Sequence, residues 1–307
     1  MTDKRKWAFI VNPIAGNGFG SRYLPVLEAK IREYGVTADI LVTERAGHAT
    51  ELAASCADNG YSPIIGVGGD GTMNEIARAL IGRKDVVTGL IPAGTGNDFI
   101  QILGFPNRFD EAHWRTFFGQ HTIPMDVGSC NGKYFLNGMG LGFDAQVAAE
   151  NYSGPGQVKA GGKNKYIWHI VKTLLFFTEK QMTTVSGDQQ TRSTCFMNTV
   201  SIGRRFAGGF FITPQAIAND GLLDVCNVRR LNLFQRFRIL LMVPKGTHIF
   251  NPNVDYHQTA SLTIRFDTTV PFHVDGELNF ARDFDIRILP GALNFIYNPD
   301  GPHFFRV

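Results

Sequence analysis

The run Ile64–Glu75, Ile-Ile-Gly-Val-Gly-Gly-Asp-Gly-Thr-Met-Asn-Glu, constrains the fold of this chain more than any other stretch. Pro63 to Val67 is short and apolar on both faces, which predicts a buried strand. Apolar residues from Met73 to Ile81 recur at helical spacing and predict an amphipathic helix. A strand that ends in glycines at a helix N-terminus favours a bound phosphate, because backbone N–H groups and the helix dipole face the ligand.

Asp70 lies inside this glycine turn. A carboxylate repels phosphate unless a cation lies between them, so we interpret Asp70 as the partner of a magnesium ion or a hydroxyl beside a nucleotide. The alternative is a structural turn in which Asp70 caps the helix.

Composition limits the class of protein. A chain of 307 residues with 44% hydrophobic and 19% charged residues predicts a globular protein, with two domains favoured over one. The 25 phenylalanines require a large core or an apolar ligand pocket, and the net charge of +3 is too small to indicate nucleic acid binding.

The start of the chain predicts no signal peptide, and the apolar stretch 166–177 is too short to span a bilayer. Four scattered cysteines predict reduced core thiols and a cytoplasmic location.

The first 103 residues alternate between strand and helix patterns. This alternation predicts a parallel, doubly wound sheet, in which ligands collect beyond the carboxyl ends of the strands. The glycine-rich segment Asn12–Arg22 is either a second phosphate-facing loop or a plain connection. The polar features that fall at the predicted strand ends are Asn12, Thr43, Gly68 to Thr72 and Gly94 to Asp98. The predicted strands are Trp7–Val11, Ala38–Thr43, Pro63–Val67 and Val86–Ile91, and the predicted helices are 23–34, His48–Ala57, the one after Asp70, and the one from Asp98 to Leu103.

From Met125 onward the pattern changes to alternating strands, which predict a mostly antiparallel sandwich or open barrel. A glycine-rich stretch from Ser153 to Lys163 predicts a long mobile loop. The predicted strands are Lys133–Gly138, Gln181–Val185, Thr194–Ile202, Leu222–Val228, Ser261–Asp267, Val270–Val274 and Phe284–Leu289, and the predicted helices are Asp144–Glu150, Tyr166–Phe177 and Leu233–Leu241.

Two acidic clusters lie in this half. Asp220 sits in the turn Asn219–Asp224, and hard divalent cations bind carboxylates together with the backbone carbonyls that a turn presents. An Asx-type turn is the alternative. Asp275 and Glu277 follow His273-Val274 at a strand end, where one carboxylate can act as a general base. A simple hairpin turn is the alternative there.

Taken in order, these motifs resemble the diacylglycerol kinase catalytic domain in its bacterial soluble lipid kinase branch. The resemblance covers nearly the whole chain. It is carried by Asn12-Pro13 with Gly16, Thr43, Gly68-Gly69-Asp70-Gly71-Thr72-x-Asn74-Glu75, Gly94-Thr95-x-Asn97-Asp98, Asp126-Val-Gly, Asn137-Gly-x-Gly-x-Gly-Phe-Asp144-Ala, Asp220-Gly-Leu-Leu-Asp224 and Val274-Asp275-Gly276-Glu277.

The resemblance implies an ATP- and Mg²⁺-dependent lipid kinase with two domains. Residues 1–125, with a returning tail at 291–307, would form a phosphofructokinase- or NAD kinase-like nucleotide domain, and 126–290 a β-sandwich for the acceptor lipid. Glu277 would accept the proton, with Asp275 as its support or its rival, and Asp220 would bind magnesium with the carbonyls of Ile217 and Leu222. Asp70 and Asp126 would complete an acidic network around metal and water. The residues implied around ATP are Asn12, Pro13, Ile14, Ala15, Gly16, Thr43, Gly68, Gly69, Asp70, Gly71, Thr72, Met73, Asn74 and Thr95.

Several questions stay open at this point. The acceptor would be a lipid presented by a membrane surface, but diacylglycerol, phosphatidylglycerol and sphingoid bases all need the same apolar slot beside a hydroxyl. The apolar stripe of the Tyr166–Phe177 helix fits either membrane contact at the inner face of the membrane or a core position. The sequence is compatible with either a monomer or a homodimer. An NAD kinase-like enzyme and a non-catalytic lipid or nucleotide sensor on the same scaffold are the rival functions.

Overall fold

The computed structural model describes residues 6–154, 157–158, 171–187, 189–206 and 209–307. The chain divides into two compact units. The first comprises Met1–Val127, Ala218–Asp220 and Pro290–Val307, and the second comprises Gly128–Ile217 and Gly221–Leu289. Residues 218–220 and 290–307 therefore belong with the first unit although they are distant from it in sequence.

The first unit contains a parallel sheet in the order β2-β1-β3-β4. Every residue of β1 and β3 is buried, as expected for apolar strands of a parallel sheet. The last strand of the chain adds to this sheet, because Asn294 and Phe295 pair in parallel with Val87 and Thr88 of β4. The strand bounds are β1 Trp7–Val11, β2 Ala38–Val42, β3 Ile64–Gly68 and β4 Val87–Pro92.

The helices of the first unit differ from the sequence predictions in three places. Helix α1 lies within the glycine-rich segment, but Gly16, Asn17 and Gly18 have φ of 57°, 55° and 82°, so its first turn is left-handed rather than α-helical. The helix predicted to reach Leu103 is a single 3-10 turn, Phe99–Gln101. Helix α5 was not predicted. The bounds are α1 Ala15–Arg22, α2 Leu24–Glu33, α3 His48–Asp58, α4 Asp70–Leu80 and α5 Glu111–Phe118.

The second unit is mostly antiparallel, as predicted. The two strands predicted between Ser261 and Val274 are one strand, whose register shifts between Arg265 and Val270. The bounds of the strands from 122 onward are β5 Thr122–Cys130, β6 Lys133–Phe135, β7 Gly138–Gly142, β8 Tyr152–Gly154, β9 Gln157–Val158, β10 Lys180–Ser186, β11 Gln189–Ser201, β12 Arg205–Phe206, β13 Phe210–Phe211, β14 Leu223–Arg229, β15 Val254–Thr259, β16 Ser261–Val274 and β17 Glu277–Ile296.

Helices of the second unit cover a core that includes Phe143, Leu174, Phe196 and Ile239. The bounds are α6 Phe143–Asn151, α7 at residues 171–176, and α8 Leu233–Met242, with 3-10 turns at Val243–Lys245 and Thr247–Phe250. The predicted mobile loop and the first part of the predicted Tyr166–Phe177 helix, with Trp168, lie outside the described residues except for the short strands β8 and β9. All four cysteines are buried free thiols, as predicted. Within the described ranges, no helix has both the length and the apolarity needed to cross a membrane.

Candidate active site

The junction between β3 and α4 carries the Gly-Gly-Asp-Gly-Thr run. Gly69 is the residue before the helix, in an extended conformation with φ −106° and ψ −169°, and no side chain caps it. Gly71 follows in the first turn, where an added Cβ would meet nothing within 4 Å. The first turn of α4 therefore offers backbone N–H groups beside open space, which is the arrangement that binds phosphate.

Asp70 binds the neighbouring loop rather than capping its own helix. Its carboxylate oxygens accept the backbone N–H of Asp98 at 3.1 Å and that of Phe99 at 3.0 Å. Burial raises the pKa of the Asp70 carboxyl above its ordinary value, although these hydrogen bonds oppose the shift. The helix-cap interpretation is wrong for this residue. Its observed contacts attach the loop Gly94–Asp98 to the start of α4.

Asn12 joins the first glycine-rich loop to the same helix. Its Nδ2 donates to Thr72 Oγ1 at 3.1 Å, and its Oδ1 accepts the N–H of Ile14 at 3.2 Å. Thr43 is buried at the end of β2, and its N–H donates to Val11 at 2.9 Å. The strand ends at Asn12, Thr43 and Gly68 thus lie on adjacent strands of one sheet, as the sequence predicts.

Glu75, the last residue of the motif, has a structural contact. Its carboxylate accepts the N–H of Gly47 at 3.0 Å and of Ala49 at 3.2 Å, at the N-terminus of α3. Gly47 precedes α3 with a φ of 81° and has no side chain to cap it. Glu75 supplies the missing N-cap from another helix, and its negative charge also suits the helix dipole.

A cleft of about 430 Å³ opens beside these loops. Two of the residues assigned to ATP, Gly16 and Thr95, line it, and so do two arginines, Arg22 and Arg108. The Arg108 guanidinium stands 5.9 Å from the centre of the Phe19 ring, a cation–π contact. Arg22 is the last residue of the glycine-rich segment Asn12–Arg22, for which a phosphate-facing loop is one of the two sequence interpretations. Arg108 was missed, because no motif surrounds it and only the fold brings it to the cleft. The remaining lining residues are Asn17, Phe19, Pro92, Ala93, Gly94, Asn97 and Asn107.

The other residues assigned to ATP differ in how far their side chains are exposed to solvent. Ile14 is 79% exposed, and Pro13 and Ala15 are half-buried in the same loop. Thr72, Met73 and Asn74 are buried on the inner side of α4. Any contact of Met73 with a ligand would therefore use its backbone, since its side chain is in the core.

In the second unit, Asp275 and Glu277 have different surroundings. Asp275 has a φ of 44°, and its carboxylate accepts the N–H groups of Leu136 at 2.7 Å, Asn137 at 3.1 Å and Gly138 at 2.9 Å. These bonds also explain why the predicted strand Lys133–Gly138 breaks into β6 and β7. Glu277 is exposed at the first position of β17, where it pairs with Val274. Backbone N–H groups therefore hold the Asp275 carboxylate in place, whereas the Glu277 side chain is accessible to solvent.

His273 and Asp144 form a further pair that the sequence did not reveal. Their Nε2 and Oδ2 atoms are 3.1 Å apart, and a Cβ on Gly140 would lie 2.4 Å from that Nε2 and 2.0 Å from that Oδ2. Gly140 is thus required for the pair to form.

The acidic turn Asn219–Asp224 contains two different carboxylates. Asp224 is completely buried and accepts the Tyr256 hydroxyl at 2.5 Å and the Gln258 Nε2 at 3.1 Å. Burial, with the nearby Asp224 charge, raises the pKa of Tyr256. Asp220 is half-buried next to Gly221, whose φ is 76°. The described side chains form no group of three or more His, Cys, Asp or Glu suited to a metal ion.

Asp126 is buried in the first unit. Its Oδ1 accepts the N–H of Gly291 at 2.8 Å, and its own N–H donates to the Ala218 carbonyl at 2.9 Å. Asp70 and Asp126 thus each hold a backbone segment in place. Their place in an acidic network around metal and water stays a prediction.

Comparison with known proteins identifies both parts of the chain. Residues 6–130 match the model of the "Diacylglycerol kinase catalytic domain", and 125–297 match the "YegS C-terminal NAD kinase beta sandwich-like domain". The chain is 30% identical over 295 residues to the probable lipid kinase YegS of Escherichia coli, covering 93% of this chain and 95% of that protein. It is 27% identical to a diacylglycerol kinase of Staphylococcus saprophyticus, with 89% of each chain covered.

Two solved structures from Bacillus anthracis have a similar fold. One chain from Bacillus anthracis superposes with a TM-score of 0.79 at 27% identity, covering 97% of both chains. Another, a diacylglycerol kinase of the same organism, superposes with a TM-score of 0.71 over 97% of this chain and 98% of that one; at 22% identity it supports the fold alone. The chain belongs to the diacylglycerol kinase catalytic-domain family, in the group of kinases that also carry the YegS-type C-terminal domain.

Proposed function

We propose that this protein is a lipid kinase that transfers the γ-phosphate of ATP to a hydroxyl of a membrane-derived lipid such as diacylglycerol, with Mg²⁺. The observation that carries the proposal is the uncapped glycine turn between β3 and α4, a feature that favours phosphate, in a chain whose relatives are named diacylglycerol kinase and probable lipid kinase. Membership of a kinase family implies ATP as the phosphate donor.

The nucleotide would bind at the glycine loops of the first unit. Phosphates would approach the first turn of α4 at Gly71, and the adjacent cleft would supply positive charge from Arg22 and Arg108. The role of the fold in phosphoryl transfer is alignment and charge stabilisation, because the transferred group carries most of the developing charge on its own oxygens. Asn12, Asp70 and Glu75 would act by holding the loops and helices in position.

Glu277 would act as the general base. Its carboxylate would take the proton of the acceptor hydroxyl while that oxygen forms a bond to the γ-phosphorus and the bond from phosphorus to the β,γ-bridging oxygen breaks, releasing ADP. Exposure of Glu277 supports this assignment, whereas the three N–H groups bound to Asp275 support a positioning role for that carboxylate.

Asp220 would bind the magnesium ion, together with the carbonyls of Ile217 and Leu222. A carboxylate and two carbonyls are the hard oxygen ligands that Mg²⁺ takes, and the left-handed Gly221 makes a tight turn between them. When bound, the ion would neutralise charge on the phosphates.

The division of labour is also part of this proposal. Residues 1–125 with 291–307 would serve the nucleotide and 126–290 the acceptor lipid. The protein would work in the cytoplasm on lipid that a membrane surface presents.

The test is transfer of label from γ-labelled ATP, with Mg²⁺, to total membrane lipids in mixed micelles. A labelled chloroform-soluble product is expected, and its mobility identifies the acceptor class. In a parallel reaction with NAD in place of the lipids, transfer of label to NAD but not to lipid would overturn the proposal in favour of an NAD kinase-like enzyme. Saturable ATP binding without any transfer would overturn it in favour of a sensor.

A further inference from the structure

Helix α8 exposes a continuous apolar face. Leu233, Phe234, Phe237 and Leu241 fall on one side of the helix by their spacing, and Phe234 and Leu241 are 77% and 79% exposed. The opposite side, with Ile239, packs into the core of the second unit. The helix therefore has apolar residues on both sides, and only one side contributes to the core.

This face is bordered by positive charge. Residues 225–254 contain neither Asp nor Glu. Arg230, Arg238 and Lys245 are exposed before, within and just after the helix. An apolar face with cations at its margin complements an anionic surface that has an apolar interior.

Segments that contact α8 also expose apolar side chains. The buried Arg236 of α8 donates to the carbonyls of Leu174 at 2.6 Å and Phe177 at 2.9 Å, so the end of α7 lies against α8. Phe176 in that segment is 76% exposed, and so is Phe250, shortly after α8. The part of the predicted Tyr166–Phe177 helix that the structure describes thus divides its apolar residues, with Leu174 in the core and Phe176 outside.

We propose that α8 is a membrane-docking helix, which lies parallel to the surface of a bilayer that contains anionic phospholipid. Its ten residues are too few to cross the apolar layer, but Phe and Leu side chains can enter the acyl boundary while arginines and lysine meet the headgroup phosphates. The inference rests on the proposed function only in that a bilayer would hold the acceptor, and docking itself needs no turnover.

Vesicle sedimentation without ATP tests the docking. The full chain should sediment with phosphatidylglycerol vesicles and much less with pure phosphatidylcholine. F234S/L241S should weaken binding at least tenfold, because apolar area drives insertion. R230Q/R238Q should weaken it about 25-fold on anionic vesicles, since each cation near such a surface contributes about 1 kcal/mol, roughly fivefold.

Matched controls lie on a different element. F280S removes an exposed phenylalanine of β17, and R282Q removes an exposed arginine of the same strand, so both should bind vesicles like the wild type. The proposal is overturned if the wild type ignores anionic vesicles, or if F234S/L241S and R230Q/R238Q both bind unchanged. It is also overturned if sedimentation velocity shows a dimer that F234S/L241S dissociates, because the face would then belong to a second copy.

Turnover separates this proposal from the proposed function. Phosphoryl transfer to a short-chain, water-dispersed acceptor should be the same in F234S/L241S and the wild type. A chain that binds anionic vesicles but transfers no phosphate supports docking and contradicts the kinase assignment.

Discussion

A Cβ placed on Gly94 would lie 2.5 Å from the Cα of Gly69. The loop after β4 and the loop after β3 therefore meet backbone to backbone, and no side chain fits between them. Asp70 reinforces this contact through the N–H groups of Asp98 and Phe99. The two glycine loops act as one structural unit at the edge of the sheet.

Substitution G94A should force these loops apart. We expect the free energy of unfolding to fall by about 1 to 3 kcal/mol, the usual cost of overpacking, and ATP affinity to fall with it. Urea denaturation and nucleotide titration measure both effects. The matched change is G71A, which meets nothing within 4 Å and lies in a helix, so stability should stay equal or rise by up to about 1 kcal/mol.

The G71A variant also tests the phosphate site. If phosphate approaches the first turn of α4, the added methyl group should weaken ATP binding although the fold is intact. Equal stability of G94A and wild type would contradict the close contact, and unchanged ATP affinity of G71A would contradict the phosphate position.

Substitution E75A should remove the cap from α3. The N–H groups of Gly47 and Ala49 would lose their acceptor, at a cost of about 1 to 2 kcal/mol in the free energy of unfolding. E44A is the control, because Glu44 is exposed near the same helix. Thermal unfolding of both variants measures the difference. An unfolding temperature for E75A equal to that of E44A would show that the cap contributes nothing.

Variants of the cleft arginines should weaken nucleotide binding. R22A and R108A should each raise the KM for ATP about tenfold or more, since hydrogen bonds between charged groups contribute about 1.5 to 3 kcal/mol. R115A removes an exposed cation from α5 outside the cleft and should leave the KM unchanged. Steady-state kinetics at varied ATP provide the measurement. Equal KM values for R108A and R115A would exclude Arg108 from the site.

The sequence predicted the parallel sheet well because β1 and β3 are apolar and buried along their whole length. It missed α5, a segment of only eight residues, Glu111–Phe118, that buries Trp114 and Phe117. It also placed two strands where β16 is one, because the polar residues at the register shift resemble a turn. A local sequence pattern predicts an element best when its apolar residues recur with a regular period and the element is buried along its length.

The site was predicted less completely than the fold. Motif residues such as Gly69 and Asp70 could be identified, but their contacts could not, because the partners Gly94, Asp98 and Phe99 come from another loop. Arg108 had no local signal at all. Contacts between distant segments depend on tertiary structure, which periodicity does not encode.

Substitutions of Asp275 and Glu277 should affect different properties, stability for Asp275 and turnover for Glu277. D275A removes the acceptor of three N–H groups and should lower the free energy of unfolding by about 2 kcal/mol or more. E277Q should leave stability within about 0.5 kcal/mol and reduce kcat about 10²- to 10⁴-fold. D267N, an exposed carboxylate of β16, is the control for both assays. Near-normal turnover of E277Q would rule out Glu277 as the base.

Acid should destabilise the second unit through His248. This residue is completely buried, its Nε2–H donates to the Ile212 carbonyl at 3.0 Å, and burial lowers its pKa below 6.5. The unfolded chain therefore binds the proton more readily, so stability is complete above pH 6.5 and is lost as pH falls from there toward the lowered pKa. Urea midpoints at pH 7.5 and pH 5.5 should show this loss in the wild type and a smaller one in H248Q. H121Q, at an exposed histidine, should retain the full loss, and an equal pH dependence in H248Q and H121Q would disprove the role of His248.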